Sequence, residues 1–233
     1  MQKKTINTFF EFLRLVDKSK TKSANLILFR GQSERKSLLP SIARDNPQID
    51  TTDTEKRMLE ELMRRTKTKI DAAQFDDWDW LIYAQHYGMK TRLLDWTSNP
   101  LTALWFACGY EFKNDTDPVV YILKNAEDFL PDRSKETSPY DRSKTRVLKP
   151  TLNNERIIAQ AGWFTVHKYS NSAKRFVDLR TNTDITDALI EVVIPIKYKS
   201  TILASLNVFG INNQTMFPDV SGICKHINWE FVR

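Results

Sequence analysis

Two continuous apolar runs of strand length constrain the fold of this chain more than any other feature. Residues 119–123 read VVYIL, and residues 188–195 read ALIEVVIP, a run rich in β-branched side chains that stops at Pro195. Apolar runs of this length without alternation are typical of strands buried on both faces. We therefore expect two central strands of a sheet. Glu191 stands in the middle of the second run, where an unpaired buried carboxylate is costly.

Segments with helical spacing surround these runs. Residues 6–16 carry apolar side chains at the spacing of one helical face and lead into a buried strand at residues 26–29. Residues 54–70 form a second amphipathic segment, and residues 78–88 a third, which ends at a glycine. A further helix is expected to begin at Pro100. The pattern predicts a single α+β domain with a mostly antiparallel central sheet and flanking helices.

Two stretches are expected to lack regular structure, and the second of them is polar. Residues 89–96 read as a short loop held between two buried helices, and residues 132–149 as a long excursion or mobile loop.

Composition adds limits on the class of protein. The 233 residues have a formal net charge of +6, with 35 basic and 29 acidic residues scattered among each other. The two cysteines, Cys108 and Cys224, are too few and too far apart for a disulfide framework or a zinc site. No stretch of about 20 apolar residues and no signal peptide is visible, so we expect a soluble cytoplasmic protein without a membrane segment.

A set of motifs is similar to one known family. Residues 85–107 read QHYGMKTRLLDWTSNPLTALWFA, residues 29–32 read FRGQ and are followed by LPS at residues 39–41, and residues 154–165 read NERIIAQAGWFT. A further match is Gly210-Ile211 leading to MFPD at residues 216–219. These motifs resemble those of FRG domains. The resemblance implies an FRG domain at residues 23–233, preceded by an N-terminal helix and lead-in at residues 1–22. Lys90 stands where the family usually has proline.

A weaker resemblance concerns the chemistry. ADP-ribosyltransferases have an arginine that ends an early strand, a Ser/Thr motif before a helix and a glutamate on a late strand; here Arg30, the loop containing Thr97, and Glu191 match this order. This resemblance implies an ADP-ribosyltransferase-like fold, with NAD as a substrate and no metal. Cleaving the nicotinamide–ribose bond creates a cation-like sugar, which Glu191 would stabilise while Arg30 holds a phosphate or ribose oxygen.

The candidate site residues follow from the two resemblances. Expected catalytic residues are Glu191, Arg30 and Thr97. Residues expected to bind NAD are Arg30, Gly31, Gln32, His86, Tyr87, Arg92, Asp95 and Gln160.

Several candidates also have a structural interpretation. Arg30 could form a buried ion pair with Asp95 or Glu191, and Asp95 could instead anchor Arg92. His86 and Tyr87 could pack against the core. Further such interpretations are that Thr97 or Asn99 caps a helix, that Gln160 satisfies backbone groups, that Phe164 is core and that Phe217-Pro218-Asp219 is a turn.

The favoured function is an NAD-consuming toxin or anti-phage effector that modifies RNA or DNA, with protein as another acceptor and an antitoxin as a further partner. The basic residues of the segments 54–70 and 133–149 would attract phosphate backbones. The main alternative is a binding module without catalysis, which recognises a nucleotide, a nucleic acid or a protein. A hydrolase using His86, Asp95 and Glu191 lacks metal-ligand spacing, a nucleophile elbow and a phosphate-binding glycine loop.

Overall fold

The structure, a computed structural model, describes residues 1–20, 26–109, 116–131, 138–140, 144–151 and 155–232. The strands in these ranges are β1 (Gln2–Thr5), β2 (Leu28–Gln32), β3 (Leu93–Thr97), β4 (Val119–Leu123), β5 (Arg146–Leu148), β6 (Gly162–Val166), β7 (Tyr169–Ser170), β8 (Arg175–Phe176) and β9 (Leu189–Val193). The helices are α1 (Phe9–Ser19), α2 (Thr52–Thr66), α3 (Asp77–His86), α4 (Pro100–Cys108), α5 (Glu155–Ala159), α6 (Lys199–Val208), α7 (Asn213–Met216) and α8 (Val220–Phe231).

A seven-stranded sheet in the order β1-β9-β4-β2-β3-β6-β5 organises the described residues. The β1–β9 pair is parallel, and the remaining neighbours in this sheet are antiparallel. Strands β7 and β8 form a separate two-stranded ribbon. The predicted α+β fold with a mostly antiparallel central sheet is therefore confirmed, and both apolar runs are inner strands of it.

The sheet has a hydrophobic core on each face, because side chains alternate along each strand. On one face, Phe29, Val120 and Val192 pack against α1, α4 and α6. On the other face, Leu28 and Tyr121 pack with side chains from the segments that follow β2 and β8. None of the helices in the described ranges has the length and apolar character needed to cross a bilayer.

The helices expected from spacing are present. Asn99 caps α4, accepting a hydrogen bond of 2.9 Å from the backbone N–H of Leu101, and Pro100 occupies the first turn. Helix α3 ends before Gly88, which has a φ of 85°, a left-handed conformation that glycine adopts without strain. The capping interpretation is confirmed for Asn99.

Two expectations about the connections were wrong or incomplete. The loop expected at residues 89–96 contains β3, which pairs with β6 from Leu93 to Thr97. The excursion expected at residues 132–149 contains β5 at its end, while residues 132–137 and 141–143 lie outside the described residues. The lead-in before the FRG motifs contributes β1 to the same sheet, through pairs such as Lys3 with Glu191. Each of these strands is short and gains its stability from a distant partner.

Candidate functional site

A cavity of about 370 Å³ opens where β2 and β3 separate. The two strands are in register at Phe29 and Thr97, at one end of β2. Beyond that pair, Arg30 and Gly31 form one wall of the cavity and Asp95 the other. The end of α3, helix α4, helix α5 and strand β6 close the remaining sides. The volume is at the lower end of those seen for small-molecule sites.

Arg30 is the cationic residue that β2 contributes to this cavity. Its Nη1 donates a hydrogen bond of 2.7 Å to the carbonyl oxygen of Asp95 and lies 3.8 Å from the Asp95 Oδ2. Its Nε is buried and has no hydrogen-bond partner among the described residues. Burial lowers the pKa of Arg30, and the nearby Asp95 carboxylate partly opposes that shift. The expected Arg30–Asp95 ion pair is therefore present as a loose contact, and the buried Nε of the guanidinium is left without a partner among the described residues.

Asp95 is held by a short chain of hydrogen bonds. The Gln85 Nε2 donates to both carboxylate oxygens, at 3.2 and 3.3 Å, and the Gln85 Oε1 accepts a bond of 2.6 Å from the Thr91 hydroxyl. The Asp95 side chain is 60% exposed, so its charge is solvated from the cavity. Asp95 does not anchor Arg92. It is a positioned carboxylate facing the cavity beside a guanidinium.

Thr97 lines the cavity, but its hydroxyl is already engaged. It donates a hydrogen bond of 2.6 Å to the carbonyl oxygen of Gln160 and accepts one of 2.9 Å from the backbone N–H of Asn99. These bonds tie β3 to α5 and to the start of α4. The arrangement fits a structural role for Thr97, because a ligand would have to compete with both bonds.

His86 and Gln160 also reach the cavity. Burial, and secondarily the charge of Arg156, lower the pKa of His86, which favours the neutral imidazole. The Gln160 Nε2 donates a bond of 3.1 Å to the carbonyl oxygen of Met216, so the amide satisfies a backbone group as the alternative interpretation expected. Its position on the cavity wall keeps it a candidate for ligand contact.

Aromatic side chains form the apolar part of the wall. The rings of Phe106 and Phe217 meet edge to face, with centroids 6.4 Å apart, and Trp163 and Phe164 contribute from β6. The Arg156 guanidinium lies over the Phe217 ring and forms an ion pair of 2.5 Å with Asp219. A wall that combines rings, amides and arginines suits a planar ligand that carries an anionic group.

Glu191 lies away from the cavity. Cross-strand register places Arg30, Tyr121 and Glu191 in one row on the same face of β2, β4 and β9. Tyr121 stands between the other two, and the Glu191 Oε2 pairs with the Arg35 Nη2 at 2.8 Å. Glu191 is fully buried, and its Oε1 has no partner among the described residues. Arg30 and Glu191 thus share a face of the sheet without forming an ion pair.

The remaining candidates have other surroundings. Arg92 is buried and forms an ion pair of 2.6 Å with Glu55, outside the cavity. Tyr87 is 66% exposed and packs against Tyr83. The Gln32 side chain accepts a hydrogen bond from the backbone of Lys36 in the turn after β2. Of the candidates, the cavity brings together Arg30, Gly31, His86, Asp95, Thr97 and Gln160, and leaves out Glu191, Gln32, Tyr87 and Arg92.

The sequence interpretation missed several residues of the wall. Gln85 holds Asp95, and Arg156, Phe106 and Trp163 face the cavity. Gln85 and Phe106 belong to the long motif at residues 85–107, and Arg156 and Trp163 to the motif at residues 154–165. The motifs therefore contained the signal, but not which of their residues point inward.

Two further kinds of binding site, a metal site and a basic surface, are considered within the described residues. Within these ranges, no group of three or more His, Cys, Asp or Glu residues is arranged to hold a metal ion. On α2, Arg64 and Arg65 both pair with Glu61, which neutralises part of the basic surface expected there. Of the basic segment expected at residues 133–149, residues 133–137 and 141–143 lie outside the described ranges.

Comparison with known proteins gives one match. Residues 25–116 match the family model of the FRG domain. This stretch contains β2, α3, β3 and α4, and hence Arg30, Asp95 and His86, whereas α5 and β6 follow it. The searches of curated proteins and of solved structures matched nothing. Residues 25–116 are therefore similar to the FRG domain, and this part of the chain contains β2, β3 and α3, which build the cavity wall around Arg30 and Asp95.

Proposed function

We propose that the cavity binds NAD and that the chain is an NAD-dependent ADP-ribosyltransferase. The observation that carries the proposal is the position of Arg30. Its guanidinium forms part of a cavity wall that also contains aromatic rings, and its buried Nε lacks a partner among the described residues. A guanidinium in the wall of a cavity suits a phosphate or ribose oxygen, and the rings suit the nicotinamide or adenine plane.

The reaction breaks the bond between the nicotinamide nitrogen and the ribose C1 carbon. Nicotinamide leaves with the bonding electron pair, the sugar becomes cation-like, and an acceptor nucleophile then bonds to C1 and loses its proton. A carboxylate near C1 stabilises the positive charge. Asp95 is the carboxylate that lines the cavity, whereas Glu191 lies outside it, fully buried and paired with Arg35. The geometry favours Asp95 for this role, with Glu191 as the second candidate.

A binding module without catalysis is the second candidate function. The Thr97 hydroxyl is engaged by Gln160 and Asn99, and Glu191 is paired with Arg35. Two of the three residues expected to be catalytic are thus committed to structural bonds. Such a module would hold a nucleotide through Arg30 and the aromatic wall.

Equilibrium binding of labelled NAD and release of nicotinamide, measured on the same protein, separate these functions. We expect Arg30→Gln to abolish binding and the exposed Arg14→Gln to leave it unchanged. Asp95→Asn should retain binding and lose nicotinamide release at least tenfold, about 1.4 kcal/mol of transition-state stabilisation. If Glu191→Gln has that effect instead, Glu191 is the catalytic carboxylate. Binding without release in the wild type would support the binding module, and absence of binding would exclude both.

For the acceptor we propose RNA or DNA, as expected of a toxin or anti-phage effector, with an antitoxin as a further partner. The support is the net charge of +6 and the exposed Lys67 and Lys69 after α2. Label transferred from NAD to RNA or DNA, and not to lysate protein, would establish the acceptor class. Affinity for the nucleic acid should fall as salt increases, because contacts to phosphates release counterions.

A further inference from the structure

Asp95 stands at the mouth of the cavity. Among the described residues that line the cavity, it has the one side chain that is mainly exposed, at 60%. The Gln85 Nε2 donates a hydrogen bond to each of its carboxylate oxygens, at 3.2 and 3.3 Å. A carboxylate has about four acceptor positions, so both oxygens can still accept from a molecule that enters from solvent. The mouth of the cavity therefore presents two adjacent acceptors.

A donor lies beside these two acceptors. The Arg30 Nη1 is 3.8 Å from the Asp95 Oδ2, and the Arg30 side chain is 15% exposed in the cavity that it lines. A guanidinium carries five N–H groups in a fixed fork, and one of them bonds here to the carbonyl oxygen of Asp95. The cavity therefore offers a ligand two acceptors followed by a donor, in that order.

This order of groups matches the edge of one nucleobase. Guanine presents two adjacent donors, the N–H groups of N2 and N1, followed by the acceptor O6. Adenine and cytosine present a donor next to an acceptor, and uracil and thymine present one donor between two acceptors. Two parallel N–H groups on one carboxylate form a bidentate pair with strong directional preference. The rings of Phe106 and Trp163 line the same cavity and suit stacking on a base.

We propose that Asp95 and Arg30 recognise guanine, and that a guanine base of the nucleic acid is the acceptor of ADP-ribose. The recognition stands on these contacts, whereas the transfer step rests on the function proposed above. In that step the guanine N2 bonds to the ribose C1 carbon of NAD. The bond from C1 to nicotinamide breaks, its electron pair leaves with nicotinamide, and the N2 proton passes to the Asp95 carboxylate.

An arginine side chain of a protein would also present two parallel N–H groups to the Asp95 carboxylate. Arg30 disfavours that acceptor, because a second guanidinium would lie beside the first and like charges repel. Guanine is neutral, and its O6 accepts from Arg30 where a second guanidinium could only donate. The net charge of +6 likewise attracts a nucleic acid more than a cationic protein segment. Guanine is therefore the better match of the two.

Calorimetric titration with mononucleotides tests the recognition in the absence of NAD. We expect the wild type to bind guanosine monophosphate at least about tenfold more tightly than inosine monophosphate, because inosine lacks the N2 amino group that donates to the Asp95 charge. Adenosine monophosphate should bind as weakly as inosine monophosphate. Equal affinities for the three nucleotides would overturn the proposal. So would tighter binding of agmatine, which carries the guanidinium of an arginine side chain.

Asp95→Asn should change which base is preferred. An asparagine side chain has one acceptor and one donor, which match the N1–H group and the O2 oxygen of xanthine, while the xanthine O6 still faces Arg30. We expect this variant to bind xanthosine monophosphate more tightly than guanosine monophosphate, the reverse of the wild-type order. Loss of folding cannot produce such a reversal. Asp17→Asn is the matched control, since Asp17 is 79% exposed on α1 and should keep the wild-type order. An Asp95→Asn protein that still prefers guanosine monophosphate would contradict the assignment.

Recognition and transfer can fail separately. Binding of NAD and release of nicotinamide without any preference for guanosine monophosphate would overturn this proposal and leave the transferase standing. A guanine preference in a protein that does not bind NAD would support the recognition and overturn the transferase. Transfer of label from NAD to a single-stranded RNA that contains guanine should be lost when inosine replaces guanine. Equal labelling of the two RNAs would overturn guanine N2 as the acceptor atom.

Discussion

Two fully buried carboxylates among the described residues, Glu55 and Glu191, have different surroundings. Glu55 accepts bonds of 2.6 Å from both the Nε and the backbone N–H of Arg92, and the Arg92 guanidinium in turn lies 4.5 Å from the centre of the Tyr140 ring. The Arg92 ion is also buried. A buried ion that loses its partner is uncompensated, which makes the pair intolerant of change at either end.

We predict that Glu55→Gln lowers the free energy of unfolding by about 3–5 kcal/mol, because it leaves the buried Arg92 charge without a counter-charge. Urea unfolding followed by tryptophan fluorescence measures the change. Glu61→Gln is the control, since Glu61 pairs with Arg64 and Arg65 on the exposed side of the same helix. The control should shift the midpoint little. Equal effects of the two substitutions would contradict the structural role of the Arg92–Glu55 pair.

His167 predicts a dependence of stability on pH. Burial lowers its pKa to about 3, against 6.5 for the ordinary group. Below its ordinary pKa the unfolded chain binds a proton that the folded chain does not, so stability falls as pH decreases from 6.5 towards 3. The slope from this one group is at most about 1.4 kcal/mol per pH unit. His167→Gln should remove that part of the slope in urea unfolding between about pH 7 and pH 5; an unchanged slope would contradict it.

At the scale of single residues, the sequence identified unusual residues but not their partners. Glu191 was singled out because its strand is otherwise apolar, and it is buried. Arg92 was taken for a site residue because its partner Glu55, 37 positions earlier, cannot be found from spacing along the chain. Glu55 itself lies one turn before the buried Leu59, on the inner face of α2, which is the pattern that could have revealed it.

At the scale of elements, the contact between β2 and α4 depends on Gly31. A Cβ added at this position would overlap the carbonyl oxygen of Ala103 and lie 2.6 Å from the backbone nitrogen of Ala107. Backbone atoms of a helix cannot move aside as a flexible side chain can. Glycine at this position therefore permits the close approach of the strand to the helix that sets one wall of the cavity.

We predict that Gly31→Ala lowers the free energy of unfolding by about 3 kcal/mol or more, because overpacking against backbone forces β2 and α4 apart. Gly88→Ala is the matched substitution. Its Cβ would meet open space, but φ is 85°, so we expect a smaller loss of about 1 kcal/mol. Thermal unfolding of both variants shows which substitution is more destabilising. A larger loss of stability for Gly88→Ala would contradict the packing argument.

The elements that the sequence predicted well are those whose signals are local. Helix α3 is followed by a glycine, helix α4 begins at an Asn-Pro pair, and β4 and β9 are continuous apolar runs. Strand β3, Leu93 to Thr97, falls in a segment that was expected to be a short loop because it lies between two buried helices. It is a strand because β6 pairs along its whole length, 69 residues later in the chain. The sequence therefore did not show that β3 forms part of the cavity wall.

At the scale of the whole molecule, the order of strands joins the ends of the chain. Strand β1 pairs with β9, so Gln2 lies beside Ile190, and α1 packs its Phe9 and Phe12 into the core formed by α4 and α6. The motifs placed residues 1–22 before the FRG domain, since no motif covers them. Pairing across nearly 190 positions depends on the complete sheet and has no signature in the first segment alone.

We predict that Phe12→Ala lowers the free energy of unfolding of the entire chain by about 3–5 kcal/mol, because Phe12 is fully buried between α1 and the sheet. If the first segment belongs to the same cooperative unit, its fluorescence and circular dichroism transitions remain coincident and move together. A separate early transition of α1, with the main transition unchanged, would instead support a boundary near residue 22. The exposed neighbour Phe10 is the control, and Phe10→Ala should leave the main transition in place. Since β1 and α1 cover β9 and the core that positions β2, loss of this segment would also weaken binding in the cavity.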